Sequence, residues 1–346
     1  KATMLRKISP GLAFAAALGL LLCALAAAAS SVPAQEKTQG QQRKKVKPEL
    51  ISRQGEQEQG QYRIGVRVDL VQVYTSVTDK NGHFVSGLKK ENFSVYEDGI
   101  KQEIAAFSQE DVPVTIGFAI DTSGSMRNKF ATVSKAALSF IRAGNPQDQF
   151  FLIGFSEEVE LLEDFTNDVD LIADQLENTV VTGGTALYDA IYLGVQKAQT
   201  GMHQKKALVV FSDGEDRDSY YKLEELVAKV QESDVQVYCI GFLNPIPEKG
   251  LFGRWSKSVP EKARDALQAI ADETGAKSFF PKDLSEINTI VSEIAHELRN
   301  QYGIGYISSN TARDGSWRRI KIAVDSGAPA GSHVRHRRGY FAPKNP

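Results

Sequence analysis

Val114-Thr115-Ile116-Gly117-Phe118-Ala119-Ile120-Asp121-Thr122-Ser123-Gly124-Ser125 is the stretch whose reading decides the fold. It begins as a largely apolar run without alternation, the pattern of a strand buried on both faces of a parallel sheet. The run then ends in a carboxylate and three hydroxyls set around a glycine. That puts a polar loop at the C-terminal end of a buried strand, where open α/β sheets bind their ligands.

Downstream, strands and helices alternate from residue 112 to residue 300, which predicts a doubly wound, mostly parallel sheet with helices on both faces. Phe130, Val133, Ala137, Phe140 and Ile141 recur at helical spacing, and Gly144-Asn145-Pro146 stops that helix. Strands are expected over 149–155, 159–162, 207–211, 235–242 and 277–280, and helices over 171–176, 186–198, 223–230 and 261–273. Pro260 stands at the favoured entry to the last of these. A final helix is announced by Asp283 and Glu286 as a capping box. Leu284, Ile287, Val291, Ile294 and Leu298 form its apolar stripe.

The flanks read differently. Between residues 62 and 111 short runs of period two are separated by turn chemistry. Val66, Val68 and Leu70 alternate in one phase and Val71, Val73 and Thr75 in the other. Asp79-Lys80-Asn81-Gly82 and Asp98-Gly99 are turns, and residues 102–107 are expected to run back as a strand. Beyond Gln301 alternation returns, with strands expected at 302–306, 317–324 and 334–341 around an Asp314-Gly315 turn. These strands are too few for a module of their own. Residues 62–111 and 301–346 are therefore read as two parts of one β-rich, sandwich-like module into which the α/β domain, 112–300, is inserted.

Residues 1–34 read as an export signal: a basic start at Arg6 and Lys7, an apolar segment from Gly11 to Ala29, and small residues ending at Ala34. The alternative is an uncleaved anchor, the only way this reading brings the chain to a membrane. Residues 35–61, rich in Gln, Lys and Glu, offer too little apolar surface to offset ordering and read as a disordered linker. Without Cys23, Cys239 has no partner for a disulfide. The formal net charge is −2, and the first 34 residues carry Lys1, Arg6 and Lys7 with no acid, so the remainder is more acidic still. That balance argues against nucleic acid as a partner.

Three positions along the chain bring oxygen chemistry to the same rim. Asp121, Ser123 and Ser125 follow the first strand, Thr185 follows Gly183-Gly184 just before a helix, and Asp213 ends the strand Val209-Val210-Phe211-Ser212. Hard oxygen donors with no His or Cys suit Mg²⁺ or Mn²⁺ rather than zinc. Two carboxylates do not fully quench such an ion, which leaves a coordination position attractive to an outside carboxylate. The plainer alternative is that Asp121 and the serines cap the following helix. Asp189, Glu215 and Asp216 are read as a solvated acidic rim, and Arg335-His336-Arg337-Arg338 as the exposed face of an edge strand.

Asp121-x-Ser123-x-Ser125 with Thr185 and Asp213 resembles the metal-ion-dependent adhesion site of von Willebrand factor type A (VWA) domains, over roughly residues 112–300. The flanks Phe93-Ser94-Val95-Tyr96-Glu97-Asp98-Gly99 and Trp317 to Tyr340 resemble exported, acidobacterial-type proteins related to that domain. By the family's usage Ser123, Ser125 and Thr185 would coordinate the metal directly, and Asp121 and Asp213 directly or through water. The resemblance implies binding of a partner protein through an acidic side chain, in a secreted, periplasmic or cell-envelope setting. Its alternative is a structural envelope module whose metal only stabilises the fold.

Enzyme chemistry finds no support. Ser123 follows Asp-Thr and so lacks a nucleophile elbow, no phosphate loop or dinucleotide fingerprint follows a strand, and His296-Glu297 lacks a second His. Phosphotransfer at Asp121 would call for a second acid where Ser123 stands, and for a catalytic lysine. One further segment bears on a partner. The long loop from Leu243 to Trp255 leaves the same rim, and Phe252, Arg254 and Trp255 are residue types that anchor interfaces. Burial of its aromatics beneath the loop is the competing reading.

Overall fold

A computed structural model describes residues 51–52, 70–243, 258–325 and 327–344. In chain order the first elements are β1 (Ile51–Ser52), β2 (Leu70–Thr78), β3 (Phe93–Glu97), β4 (Ile100–Gln102) and β5 (Ile104–Ser108). The α/β part follows as β6 (Val114–Asp121), α1 (Phe130–Arg142), β7 (Gln149–Phe155), β8 (Val159–Thr166), α2 (Val169–Glu177) and α3 (Leu187–Gln199). It continues with β9 (Lys205–Ser212), α4 (Leu223–Gln231), β10 (Gln236–Gly241), α5 (Val259–Thr274), β11 (Ser278–Phe279) and α6 (Ile287–Asn300). The last strands are β12 (Tyr302–Ile307), β13 (Trp317–Val324), β14 (His333–Arg335) and β15 (Gly339–Phe341).

Every residue of β6 is buried, as its unbroken apolar run requires. Its side chains alternate between two cores. Val114, Ile116, Phe118 and Ile120 face α1, α2 and α6, whereas Ala119 faces α3, α4 and α5. Gly117 completes the second face because a Cβ there would stand 2.1 Å from the Phe151 ring; β7 can carry that phenylalanine only beside a glycine. The sheet order is β1-β8-β7-β6-β9-β10-β11. Connections run to opposite sides of β6, so its C-terminal end is the topological switch point where ligands settle in such sheets. Among the described residues, no helix is long and apolar enough to cross a membrane.

One departure from a parallel sheet is β8, which lies antiparallel to β7. The three residues between them allow only a hairpin, since a parallel return needs a crossover of a dozen residues or more. The outer edge of β8 takes up Ile51–Ser52 as a short parallel strand. Those two residues fall inside the stretch read as a linker. The unpaired backbone groups of an edge strand draw them in despite the poor apolar content around them.

The remaining strands form two four-stranded sheets, β14-β2-β12-β5 and β15-β13-β3-β4. Each draws strands from both sides of the α/β part. Val71, Val73, Val95, Tyr302, Ile304, Tyr306, Ile320 and Ile322 interdigitate between the sheets as a third core. The expected α/β domain inserted in a sandwich-like module is thus the observed fold class. Two strands read as continuous are divided. Residues 102–107 belong to β4 and β5, which pair with β3 and β12 in different sheets, and 334–341 divides into β14 and β15 in the same way. Strands that change sheets close the corners of a sandwich, and period-two alternation carries no mark of where the change occurs.

The basic run at 335–338 joins sandwich and α/β part through Arg335 and Arg338; residues 335–337 are half-buried, and Arg338 alone of the four stays exposed as read. Arg335 donates to Glu297 of α6, a fully buried carboxylate that also accepts from Ser76 Oγ at 2.7 Å. Arg337 donates to Gln72 O at 3.0 Å, and Arg338 to Glu273 at 2.8 Å. The chain comes so close to the end of α5 that a Cβ on Gly275, the left-handed residue closing that helix, would lie 2.3 Å from the His336 carbonyl carbon.

Candidate functional site

The turn after β6 is shaped by its own side chains. Asp121 Oδ1 accepts from Ser123 N at 2.9 Å, bending the backbone back over the strand end, and one turn of 3₁₀ helix, Gly124–Met126, follows. Thr122 N and Oγ1 donate to Phe155 O at 2.7 and 3.0 Å, fastening this loop to β7. A second loop joins it, with Gly124 N donating to Gly183 O at 3.1 Å and Thr182 N to Thr122 O at 2.8 Å. The third loop, after β9, is bound through Ser212, whose hydroxyl donates to Asp121 Oδ2 at 2.7 Å.

All five residues expected to form a metal site stand on these three loops. Ser123 Oγ and Ser125 Oγ are 3.1 Å apart, and Ser125 Oγ donates to Asp213 Oδ1 at 2.9 Å. Thr185 shares an open cavity of about 350 Å³ with Ser125, Gly183, Gly184 and Asp213. Its backbone N–H donates to Asp218 Oδ2 at 2.8 Å, which fixes the residue at the cavity wall. The helix-capping reading does not describe these side chains. Neither the 3₁₀ turn capped by Ser123 nor α1 carries a side-chain cap bond, and α3 starts after Ala186, also without one.

Electrostatics set Asp121 apart. It is completely buried, and burial pushes its carboxyl above the ordinary aspartate value against the hydrogen bonds from Ser123 and Ser212. The charge of Asp213 pushes the same way. Among the described residues, no basic side chain lies within ion-pair distance of Asp121. Its two oxygens are held by hydrogen bonds alone, without a compensating positive charge among those residues. Among the described residues there is likewise no cluster of three or more His, Cys, Asp or Glu able to hold a metal. The donor set here is instead two carboxylates and three hydroxyls, hard oxygens that fit Mg²⁺ or Mn²⁺.

Asp189 and Asp216 are not a solvated rim. Buried Asp189 accepts from the N–H groups of Tyr220 and Tyr221 at 2.8 and 2.9 Å, and Asp216 accepts from Tyr188 N, so both pin the loop leading to α4. Glu215 stays at the surface, 2.8 Å from Arg217. Ser212, Asp218 and Lys129 also belong to the site, and no local motif marks them. Lys129 lies four residues after Ser125 and donates to Asp213 Oδ2 at 3.0 Å and to Ser125 O at 3.1 Å. Phe252, Arg254 and Trp255 lie outside the described residues.

A larger cavity, of about 710 Å³, opens at the seam with the sandwich beside Asp234, Arg318 and Arg337. Arg318 there is already held by Glu97 and by the carbonyls of Asn310 and Ala312.

A profile of the von Willebrand factor type A domain matches residues 115–293, more than half of the chain. The chain belongs to that family. A protein of Synechocystis sp., itself described only as uncharacterized, is 27% identical over 199 residues; the match spans 54% of this chain and 44% of that protein's length. Among solved structures, an aerotolerance-related membrane protein from Bacteroides fragilis is 21% identical, with 54% of this chain and 98% of that one covered and a TM-score of 0.42. The vWF domain of the type V pili tip protein Mfa5 from Porphyromonas gingivalis is 12% identical, covering 54% and 95%, with a TM-score of 0.43. A von Willebrand factor type A protein from Catenulispora acidiphila is 12% identical, covering 81% and 75%, with a TM-score of 0.44.

Proposed function

We propose that this chain is an exported, divalent-metal-dependent protein-binding protein of the adhesion or scaffold kind. Asp121, Ser123, Ser125, Thr185 and Asp213 are its metal-ion-dependent adhesion site. The observation that carries the reading is the convergence of these oxygens from three loops around a buried carboxylate that has no cationic partner among the described residues. Bound there, Mg²⁺ or Mn²⁺ would supply an open coordination position for a carboxylate oxygen. The residues around it do the rest. Ser123 N and Ser212 Oγ orient Asp121, Ser125 orients Asp213, and Asp218 holds Thr185 at the wall. The fitting partner is a protein presenting an Asp or Glu side chain.

A binding role is favoured over a purely structural one because protein donors already bond both carboxylates, so the loops cohere through their own hydrogen bonds. Export rests on residues 1–34, and the wider kinship with acidobacterial-type exported proteins on the flanking motifs; residues 1–34 lie outside the described residues.

Asp121→Ala is expected to abolish Mg²⁺ binding in a titration calorimeter while the chain remains folded. Its local cost is the loss of two hydrogen bonds, on the order of 1–3 kcal/mol, but no remaining ligand replaces a buried carboxylate. Unchanged Mg²⁺ affinity in the folded variant would remove the assignment.

A further inference from the structure

Lys129 stands where the 3₁₀ turn passes into α1. Its backbone is fixed by Lys129 N donating to Met126 O at 2.8 Å, and by its carbonyl accepting from Thr132 and Val133 at 3.0 Å. From there its ammonium reaches back over the loop to Asp213 Oδ2 and Ser125 O. Asp213 thereby has one oxygen on Ser125 Oγ and the other on a positive charge, and Lys129 links the same two loops that a metal held by Ser125 and Asp213 would link. The pair is sheltered, with 27% of the lysine side chain and 13% of the aspartate side chain exposed.

We infer that Lys129 is a built-in competitor for the metal, one that sets the divalent-cation concentration at which the site fills. The inference rests on the metal-site reading above. Two positive groups drawn to one carboxylate oppose each other, and at a pair this sheltered the repulsion is screened less than between fully exposed charges. Loading therefore requires Asp213 to give up its ammonium. Without that partner the ammonium remains at the rim as an uncompensated positive charge beside the position a partner's carboxylate would take. The same residue would then weaken metal binding and favour acidic partners, coupling the two events.

The test is calorimetric titration of the full chain with Mg²⁺ alone, on the unaltered protein and on Lys129→Met, Lys129→Arg and Asp121→Ala. Lys129→Met keeps the aliphatic stem and removes the charge. It is expected to bind Mg²⁺ about fivefold to tenfold more tightly, while Lys129→Arg, which keeps the charge and can fork onto the Asp213 carboxylate, shows no such tightening. Lys129→Gln gives the same reading should the methionine variant not fold. Equal Mg²⁺ affinity in the neutral variants and the unaltered chain, with binding still lost in Asp121→Ala, overturns the role of Lys129 alone. A Mg²⁺ isotherm indifferent to Asp121→Ala overturns the site, and the inference with it.

Discussion

A chain ending at Asn300 is expected to keep the α/β sheet and lose the sandwich entirely. The reason is register. β12 is the strand between β2 and β5, pairing Tyr302–Ile307 against Thr75–Leu70 on one side and Ser108–Ile104 on the other. β13 stands in the same position between β3 and β15. Truncation leaves β2 and β5 with no ladder partner and β3 with only the short β4, and a two-stranded remnant is marginal in water. It also strips Tyr302, Ile304, Tyr306, Ile320 and Ile322 from the core. Each such side chain contributes roughly 1.5–3 kcal/mol by burial. Hydrogen exchange should then show the amides of residues 70–108 unprotected and those of β6, β7, β9 and β10 still slow. Residues 70–108 as protected as in the full chain would mean that they do not depend on the C-terminal strands, and would end the proposal of a module in two parts.

The second large effect is expected at Arg318, 1% exposed inside the sandwich. Its guanidinium meets Glu97 Oε1 at 3.3 Å and donates to Asn310 O and Ala312 O at 2.9 and 2.7 Å. Glu97 in turn accepts from the hydroxyls of Tyr306 and Tyr340, both at 2.9 Å. Burial, followed by the Glu97 charge, drives the Tyr306 phenol far above its ordinary value, so it stays a neutral donor. Arg318→Leu leaves Glu97 buried without a cation and two carbonyls without donors. Removing one partner of such a pair costs about 3–5 kcal/mol, which for a unit of this size lowers the sandwich's unfolding midpoint by roughly 12–40 °C. The paired change Glu97→Leu with Arg318→Leu should recover much of that loss, because no charge is then stranded. A midpoint for Arg318→Leu within about 2 °C of the unaltered chain would show that the pair does not hold the sheets together.

Features encoded locally could be read before the structure. The unbroken apolar run of β6, the stripe Ile287, Val291, Ile294 and Leu298 on α6, and the Asp79 to Gly82 turn each carry their signal within a few residues. All three stand as read. Convergence of the three loops was legible for the same reason, since each oxygen residue follows a recognisable strand or precedes a recognisable helix. Long-range pairings were not. Nothing near Glu103 signals that the chain changes sheets there. The 335–338 run resembles a solvated edge until Glu297, Glu273 and Gln72 are brought against it. Lys129 lay close in sequence to Ser125, but its bond to Asp213 spans 84 positions and depends on β6 and β9 being neighbours. Asp189 looked like surface charge because the two backbone donors that bury it come from a loop 31 and 32 positions away.

The central claim is that three loops at the end of β6 hold one divalent cation, and paramagnetic broadening by Mn²⁺ tests it most directly. Substoichiometric Mn²⁺ added to the isotopically labelled chain should erase the amide signals of residues 121–126, 183–186 and 212–214, and leave those of β3, β12 and β13 sharp. Excess Mg²⁺ should restore the erased signals. Broadening spread over exposed acidic residues, or concentrated on the sandwich, with the three loops unaffected, would contradict the account.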